Sequence, residues 1–350
     1  MERAKRPRLP CRDLHRCHLV VAGGGAGGRG GPRGGRPLDV SGEARGVTDL
    51  TSGIEIRPIE DHRELLECER LQREIWGFAE QAVVPDHLLL TAIEGGGCLL
   101  GAYDGEKLIG FVFSLVGLQD NRLKHSSLMA GVLPEARYRG IGHRLKLAQR
   151  AFALKQGIEL ITWTFDPLQS ANAHFNFKKL GTIARRYERD YYGDMRDQLN
   201  RDLPSDRLLA EWWLASPRVE AKIGGSYHLP TVDELLSRGA IMVTRTEKTA
   251  PTLPSPSKGE GEEGGGGWLA NVEYRLDLEG AELLVEIPTD TPEMKAQNLE
   301  LARRWRAETR AIFERYLAQG YLVSEFITED KRRGYYLLEQ ASPEEVLERG

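Results

Sequence analysis

Long apolar runs are scarce in this chain. The longest, Leu108–Leu118 (LIGFVFSLVGL), is too short to span a bilayer and reads as a buried strand. Cysteine is scarce as well. The four present (Cys11, Cys17, Cys68 and Cys98) are scattered, which argues against a disulfide framework and for a reducing compartment. A charge excess is also missing: 48 Lys and Arg face 52 Asp and Glu, for a formal charge of −4. Nothing in that balance draws the chain toward nucleic acid or an anionic membrane. The expectation is therefore a cytoplasmic protein with no nucleic-acid partner and no membrane partner.

The 350 residues suffice for one large domain or two ordinary ones. Residues 1–36 carry nine Lys and Arg, two acids and a glycine tract. No apolar core of a secretory signal follows, and the basic start lacks the amphipathic period of a transit peptide. Residues 1–52 are expected to be a disordered Arg/Gly-rich tail, with native origin and a start codon placed too early left as alternatives. Two motifs inside it mislead. HLVVAGGGAGGRGG aligns to a dinucleotide fingerprint, but the glycines run on and no helix follows. CRDLHRCH (Cys11–His18) clusters Cys and His without the second ligand pair that a zinc site needs. No metal is expected.

Folded sequence begins near Gly53. IEIRPI alternates as a strand, and DHRELLECERLQREIWG has helical spacing with Gly77 as its stop. Pro85 opens a second helix. CLLGAYD and KLIGFVFSLVGL are strands joined through Asp104-Gly105, and SSLMAGV (Ser126–Val132) is a further strand. A helix from Ile141 to Gln156 follows, with Leu145, Ala148, Phe152 and Lys155 on one side. Then come the strand Ile158–Phe165, a helix closed by Gly181, and two strands, the second carrying Trp212 and Trp213 with one facing in and one out. This order predicts an α/β domain with a mixed sheet over 53–216, and a connecting segment over 217–247. KTAPTLPSPSKGEGEEGGGG (248–267) reads as a low-complexity linker. Residues 268–350 read as a smaller α/β extension: a strand AELLVEIP, one helix Met294–Gln319, and a final strand pair.

The informative stretch is VLPEARYRGIGHRL (Val132–Leu145). A strand ending at Val132 turns through two glycines into a helix. The first N–H groups of that helix have no internal partner, and the macrodipole makes the spot positive. Such a turn favours a phosphate or pyrophosphate. Gly140 and Gly142 let the backbone approach closely, and Arg137, Arg139, His143 and Arg144 add donors at the rim.

Arg137-Tyr138-Arg139-Gly140-Ile141-Gly142, with Val132 and Pro134 before it, resembles the acyl-CoA motif of the GCN5-related N-acetyltransferase (GNAT) superfamily. WTFDPLQSANAHFNFKKLG and DRLLAEWWLASPRV are similar to a branch of predicted acetyltransferases. The resemblance implies a mixed central sheet flanked by helices, with the C-terminal α/β part as an extension. It implies acetyl-CoA or another short acyl-CoA as co-substrate and no metal. The strands ending at Val132 and near Phe165 would splay apart around pantetheine. Backbone groups of Ala130 and Val132 would bond its amides, and the Val132 N–H would polarise the thioester carbonyl. Amides of Tyr138, Arg139, Gly140, Ile141, Gly142 and His143 would take the pyrophosphate. A small-molecule amine, an amino acid among the candidates, would attack the thioester directly. The activity implied is acetyl or succinyl transfer to that amine; the rival is a non-catalytic acyl-CoA-binding module. A homodimer is left open.

Counting back from Gly181 puts Phe177 where the family has a proton-donating Tyr, and Ser170 where it has an Asn, with Asn172 two residues off. Phe177 and Asn172 are retained as cofactor-site candidates, Asn172 against the plainer reading of a helix-surface residue. Substitute donors are His174, Tyr187, Tyr191 and Tyr192, with Tyr191 carried as a catalytic candidate. Asp166 is either the acceptor-side base or a cap for the helix beginning near Leu168. His125 is either a base or a solvated histidine at a strand start.

Overall fold

The computed structural model describes residues 53–137, 139–193, 202–249, 267–329 and 332–350. The expected tail and most of the linker, with the Cys11–His18 cluster and the tail glycines, lie outside the described residues.

Strand β1 (Ile54–Pro58) leads into helices α1 (His62–Trp76) and α2 (Asp86–Glu94). Asp61 caps α1 by accepting the Arg63 N–H, and Gly77 ends it with φ at 67°. The meander β2 (Cys98–Asp104), β3 (Lys107–Gln119) and β4 (Arg122–Val132) follows as read from the apolar runs. Next come α3 (Ile141–Lys155), β5 (Leu160–Phe165), a short α4 (Ser170–Ala173) that continues as a π-helical turn over His174–Lys179, β6 (Ile183–Glu188) and β7 (Arg207–Trp213). Trp212 is fully buried and Trp213 only partly.

Residues 217–247 carry structure of their own: α5 (Pro217–Gly224), α6 (Val232–Ser237), β8 (Ile241–Met242) and the start of β9 (Thr244–Lys248). The C-terminal part holds β10 (Leu269–Tyr274), β11 (Glu282–Pro288), α7 (Thr291–Gln297), α8 (Leu299–Ala318), β12 (Leu322–Thr328), β13 (Arg333–Glu339) and α9 (Pro343–Leu347). The single helix expected over Met294–Gln319 is two. Asn298 leaves helical geometry, and its side chain caps α8 by accepting the Leu301 N–H at 3.0 Å.

The described strands form one mixed eleven-stranded sheet, ordered β1-β2-β3-β4-β5-β7-β6-β12-β13-β11-β8, beside a β9–β10 pair. The C-terminal strands thus prolong the first sheet, through the contact of Val323 with Ala184. Buried ion pairs reinforce the join: Glu325 on β12 takes Arg218 and Lys222 of α5, each at 2.8 Å. Helix α1 lies directly on β4. A Cβ added at Gly131 would meet the Trp76 ring at 2.7 Å and Ile75 at 2.9 Å. Gly131→Ala is expected to cost about 1–3 kcal/mol by overpacking, read as a lower midpoint in urea unfolding.

The burial of α3 differs from expectation. Its buried positions are Ile141, Leu145, Lys146, Gln149 and Ala153. Ala148 and Phe152 are only partly buried, and Lys155 is exposed. The reason is the surface beneath. Ser114, His125 and Ser127 of β3 and β4 are buried polar residues: Ser114 and His125 bond each other, and Lys146 and Gln149 of α3 bond Ser127.

Candidate active site

Strands β4 and β5 are parallel neighbours, yet they pair at only two positions, His125 with Ile161 and Ser126 with Thr162. From there to Val132 and Phe165 the strands run without pairing, so the sheet opens as a fork. A bulge marks the opening. Leu128 has no partner on β3, because Ser127 pairs with Ser114 and Met129 with Phe113. The extra residue bends β4. At the open end the Leu133 N–H donates to Ile109 O at 2.8 Å, toward β3. By the alternation of a strand, the peptide groups of Val132 and Ala130 face the other way, into the fork.

The glycine turn sits at the mouth. Gly140 is the N-cap of α3, with φ at 71° and no side-chain cap, so the first N–H groups of the helix have no protein partner from a cap. A Cβ added at Gly140 or Gly142 meets nothing within 4 Å, so open space lies over both. That space and those N–H groups fit a pyrophosphate. The rim is less arginine-rich than expected. Arg137 donates to Val132 O at 3.4 Å, Arg139 lies 3.6 Å from Asp104, and Arg144 donates to Ile54 O at 2.7 Å. Exposed Lys179, on the π-helical turn, is close enough to depress the His143 imidazole further after burial has lowered it. Sequence reading missed Lys179, since no linear motif links it to the turn. His143 lies edge-on to Phe175 with ring centres 6.2 Å apart, and its Nε2 is buried without a partner. Tyr138 lies outside the described residues.

Several side chains have other occupations. His125 is not solvated. It is fully buried at the paired end of the fork, 2.9 Å from Ser114 Oγ and 2.7 Å from Gln156 Oε1, and burial lowers its proton affinity. Asp166 accepts the Leu168 N–H at 2.8 Å, as a cap would, and accepts Arg306 of α8 at 2.5 Å. Burial alone would raise its carboxyl, but Arg306 outweighs it and holds Asp166 ionised below the usual range. Such a carboxylate is a poor base.

Phe177 is fully buried, with ring centres 5.9 Å from both Phe165 and Tyr336, so it packs the core. Phe177 sits within the π-helical turn His174–Lys179, which holds more residues per turn than an α-helix. Asn172 is partly buried on α4 just before this turn, and Ser170 donates to Thr289 O at 3.0 Å. His174 is pushed down to about 4 by burial, then by Lys178 and Lys179. Tyr187 donates to Asp206 at 2.7 Å. Tyr191 is 50% exposed, whereas the Tyr192 hydroxyl lies 2.7 Å from Thr164 Oγ1 on β5. Trp163 and Phe165 point toward α3 and α4, so Thr164, and Tyr192 with it, lies on the opposite side of the fork.

No family profile and no curated protein matches this chain. Solved structures do. It is similar to Arabidopsis thaliana Naa50 in complex with a bisubstrate analogue, at 17% identity over 45% of this chain and 97% of that one, TM-score 0.37. It is similar to the ribosomal-protein-S18-alanine N-acetyltransferase of Escherichia coli, at 15% identity over 45% and 92%, TM-score 0.36. A putative GNAT-family acetyltransferase from Desulfovibrio desulfuricans matches at 15% identity over 46% and 99%, TM-score 0.37. Among the described residues no helix is long and apolar enough to cross a membrane, and no group of three metal-ligating side chains occurs.

Two predictions follow from the buried charges. Asp166→Ala strands the Arg306 guanidinium and should cost about 3–5 kcal/mol, measured by urea unfolding, while Asp166→Leu with Arg306→Met together should restore most of it. Burial pushes the Lys146 ammonium down to about 7, well below the usual lysine value near 10.4. The unfolded chain therefore holds a proton that the folded chain has lost between those values, so the charge penalty, full below pH 7, fades as pH rises. The stability difference between Lys146→Met and the unaltered chain should shift in favour of the unaltered chain from pH 7 to pH 10, read from melting temperatures.

Proposed function

We propose that this chain is an acyl-CoA-dependent N-acyltransferase that passes a short acyl group, acetyl or succinyl, to a small amine, an amino acid among the candidates. One observation carries the reading: a parallel strand pair that opens after two residues, directly beneath a glycine turn at a helix N-terminus. The opening offers unpaired backbone to an extended chain, and the turn offers N–H groups to its charged end. That is the polarity of pantetheine followed by pyrophosphate.

In this reading the peptide groups of Ala130 and Val132 bind pantetheine, and the Val132 N–H stabilises charge on the thioester oxygen. The amides from Arg139 to His143 hold the pyrophosphate, with Lys179 adding charge. The acceptor enters from the side of Thr164 and Tyr192. Tyr192 takes the role foreseen for Tyr191, because its hydroxyl stands on the β5 wall. Asp166 and His125 serve as structural groups. A second reading, a non-catalytic acyl-CoA-binding module, draws on Phe177, which has no proton to give. Saturable thiol release from acetyl-CoA with mixed amines distinguishes the two.

The first experiment is a thermal-shift titration with CoA, acetyl-CoA, succinyl-CoA, NAD and ATP. A ligand at 100 times its Kd should add about 2.7 kcal/mol. A rise with the CoA series alone is expected. Gly140→Glu, which puts a carboxylate at the turn and an L side chain at positive φ, should abolish the rise. A CoA shift that survived this change would overturn the phosphate assignment, and no CoA shift in folded protein would overturn the function.

A further inference from the structure

Basic side chains gather on one flank of the glycine turn. The π-helical turn sets His174, Lys178 and Lys179 one turn apart along one side. Lys178 and Lys179 both act on the His174 imidazole, and Lys179 acts on His143 as well. His143 stands in the first turn of α3 and meets Phe175 edge-on, which ties the cluster to the mouth of the fork. No carboxylate is among the groups that act on either histidine. On its other flank Lys178 acts on Lys222 of α5, whose partner Glu325 is shared with Arg218. One carboxylate there serves two cations and has no charge to spare for Lys178.

Enclosed cations of α8 are answered by acids: Arg306 has Asp166, and Arg310 has Asp206. Among the described residues Lys178 and Lys179 have no such partner. Lys178 and His174 are only partly exposed, whereas Lys179 is exposed. Like charges held together raise the energy of the empty chain, and an anion that arrives between them removes that cost. Groups perturbed in this way mark places where a ligand is met.

The amides of the turn take the diphosphate in the acyl-CoA reading, and the pantetheine arm leaves it into the fork. The nucleotide leaves it another way, and the first turn of α3 with the π-helical turn borders the mouth on the side of Phe175. Only a ribose separates the diphosphate of CoA from the phosphomonoester on its 3′ oxygen. Rim charge for the diphosphate alone would use Lys179 and leave His174 and Lys178 unexplained.

We propose that Lys178, Lys179 and His174 form a second phosphate site, which takes the 3′-phosphate of CoA and makes the chain prefer CoA to dephospho-CoA. The inference rests on the acyl-CoA reading and adds to it the residues that choose the nucleotide. Lys178 and Lys179 supply charge. His174, neutral at pH 7, supplies a ring N–H. The phosphate is bound and not transferred, so no covalent bond changes.

The test compares CoA with dephospho-CoA, which lacks only that phosphate, by calorimetric titration of the full chain at one salt concentration. CoA should bind at least about tenfold tighter, the size of one hydrogen bond to a charged group. Lys178→Gln and His174→Leu should each weaken CoA and leave dephospho-CoA unchanged. Lys179→Gln, whose charge also reaches the diphosphate, should weaken both ligands, CoA more. Equal affinity of the unaltered chain for the two ligands overturns the second site and leaves the acyl-CoA reading standing. Losses in the Lys178 and His174 variants that fall equally on both ligands also overturn it, because they tie these residues to the diphosphate. A preference for CoA that survives in all three variants overturns the assignment to these residues. Failure of the unaltered chain to bind either ligand overturns both readings. Should His174→Leu not fold, the two lysine variants decide.

Discussion

Everything in the candidate site depends on two adjacent pairs between parallel strands. A parallel ladder that closed along its length would satisfy every backbone group of β4 and leave no cleft. Here the pairing stops after Ser126 and Thr162, and the bulge at Leu128 bends β4 where it stops. The unpaired stretch is a cost in backbone hydrogen bonds. It is tolerable because helices α3 and α4 cover one side, and because Trp163 and Phe165 fill the space beneath with rings.

The C-terminal part belongs to the same structural logic. It prolongs the sheet through β12, and α8 sends Arg306 into the end of β5. The Arg306–Asp166 pair is buried, so its value is not a simple gain in stability. Its effect is positional: it fixes the β5–α4 loop, with help from the Tyr336 hydroxyl, which donates to Pro167 O at 2.7 Å. The wall of the fork nearest α4 is thus held partly by residues more than a hundred positions downstream.

Most elements were legible in the residues. Apolar runs bounded by Asp104-Gly105 and Gly157 mark strands and turns because local backbone preference and burial agree there. The glycine turn was legible for the same reason, since positive φ at Gly140 is a local demand. Side-chain roles were less so. His125 looked solvated until β3 placed Ser114 beside it. Asp166 stood between base and helix cap until the Leu168 N–H and Arg306 of α8 claimed its two oxygens. Phe177 stood at a motif position for a proton donor until the fold set its ring between Phe165 and Tyr336. Lys146 drew no notice, because a lysine on an amphipathic helix reads as surface until the strand below proves polar.

The division is physical. Spacing, turn chemistry and hydrophobic period act within a few residues, so the order of strands and helices and the shape of the Arg137–Gly142 turn are written in the chain. Burial and charge act through space. Which carboxylate is neutralised, which lysine loses its water and where two parallel strands part are settled by neighbours far apart in sequence. Those depend on the closed sheet, because a side chain's ionisation follows what surrounds it and not what precedes it.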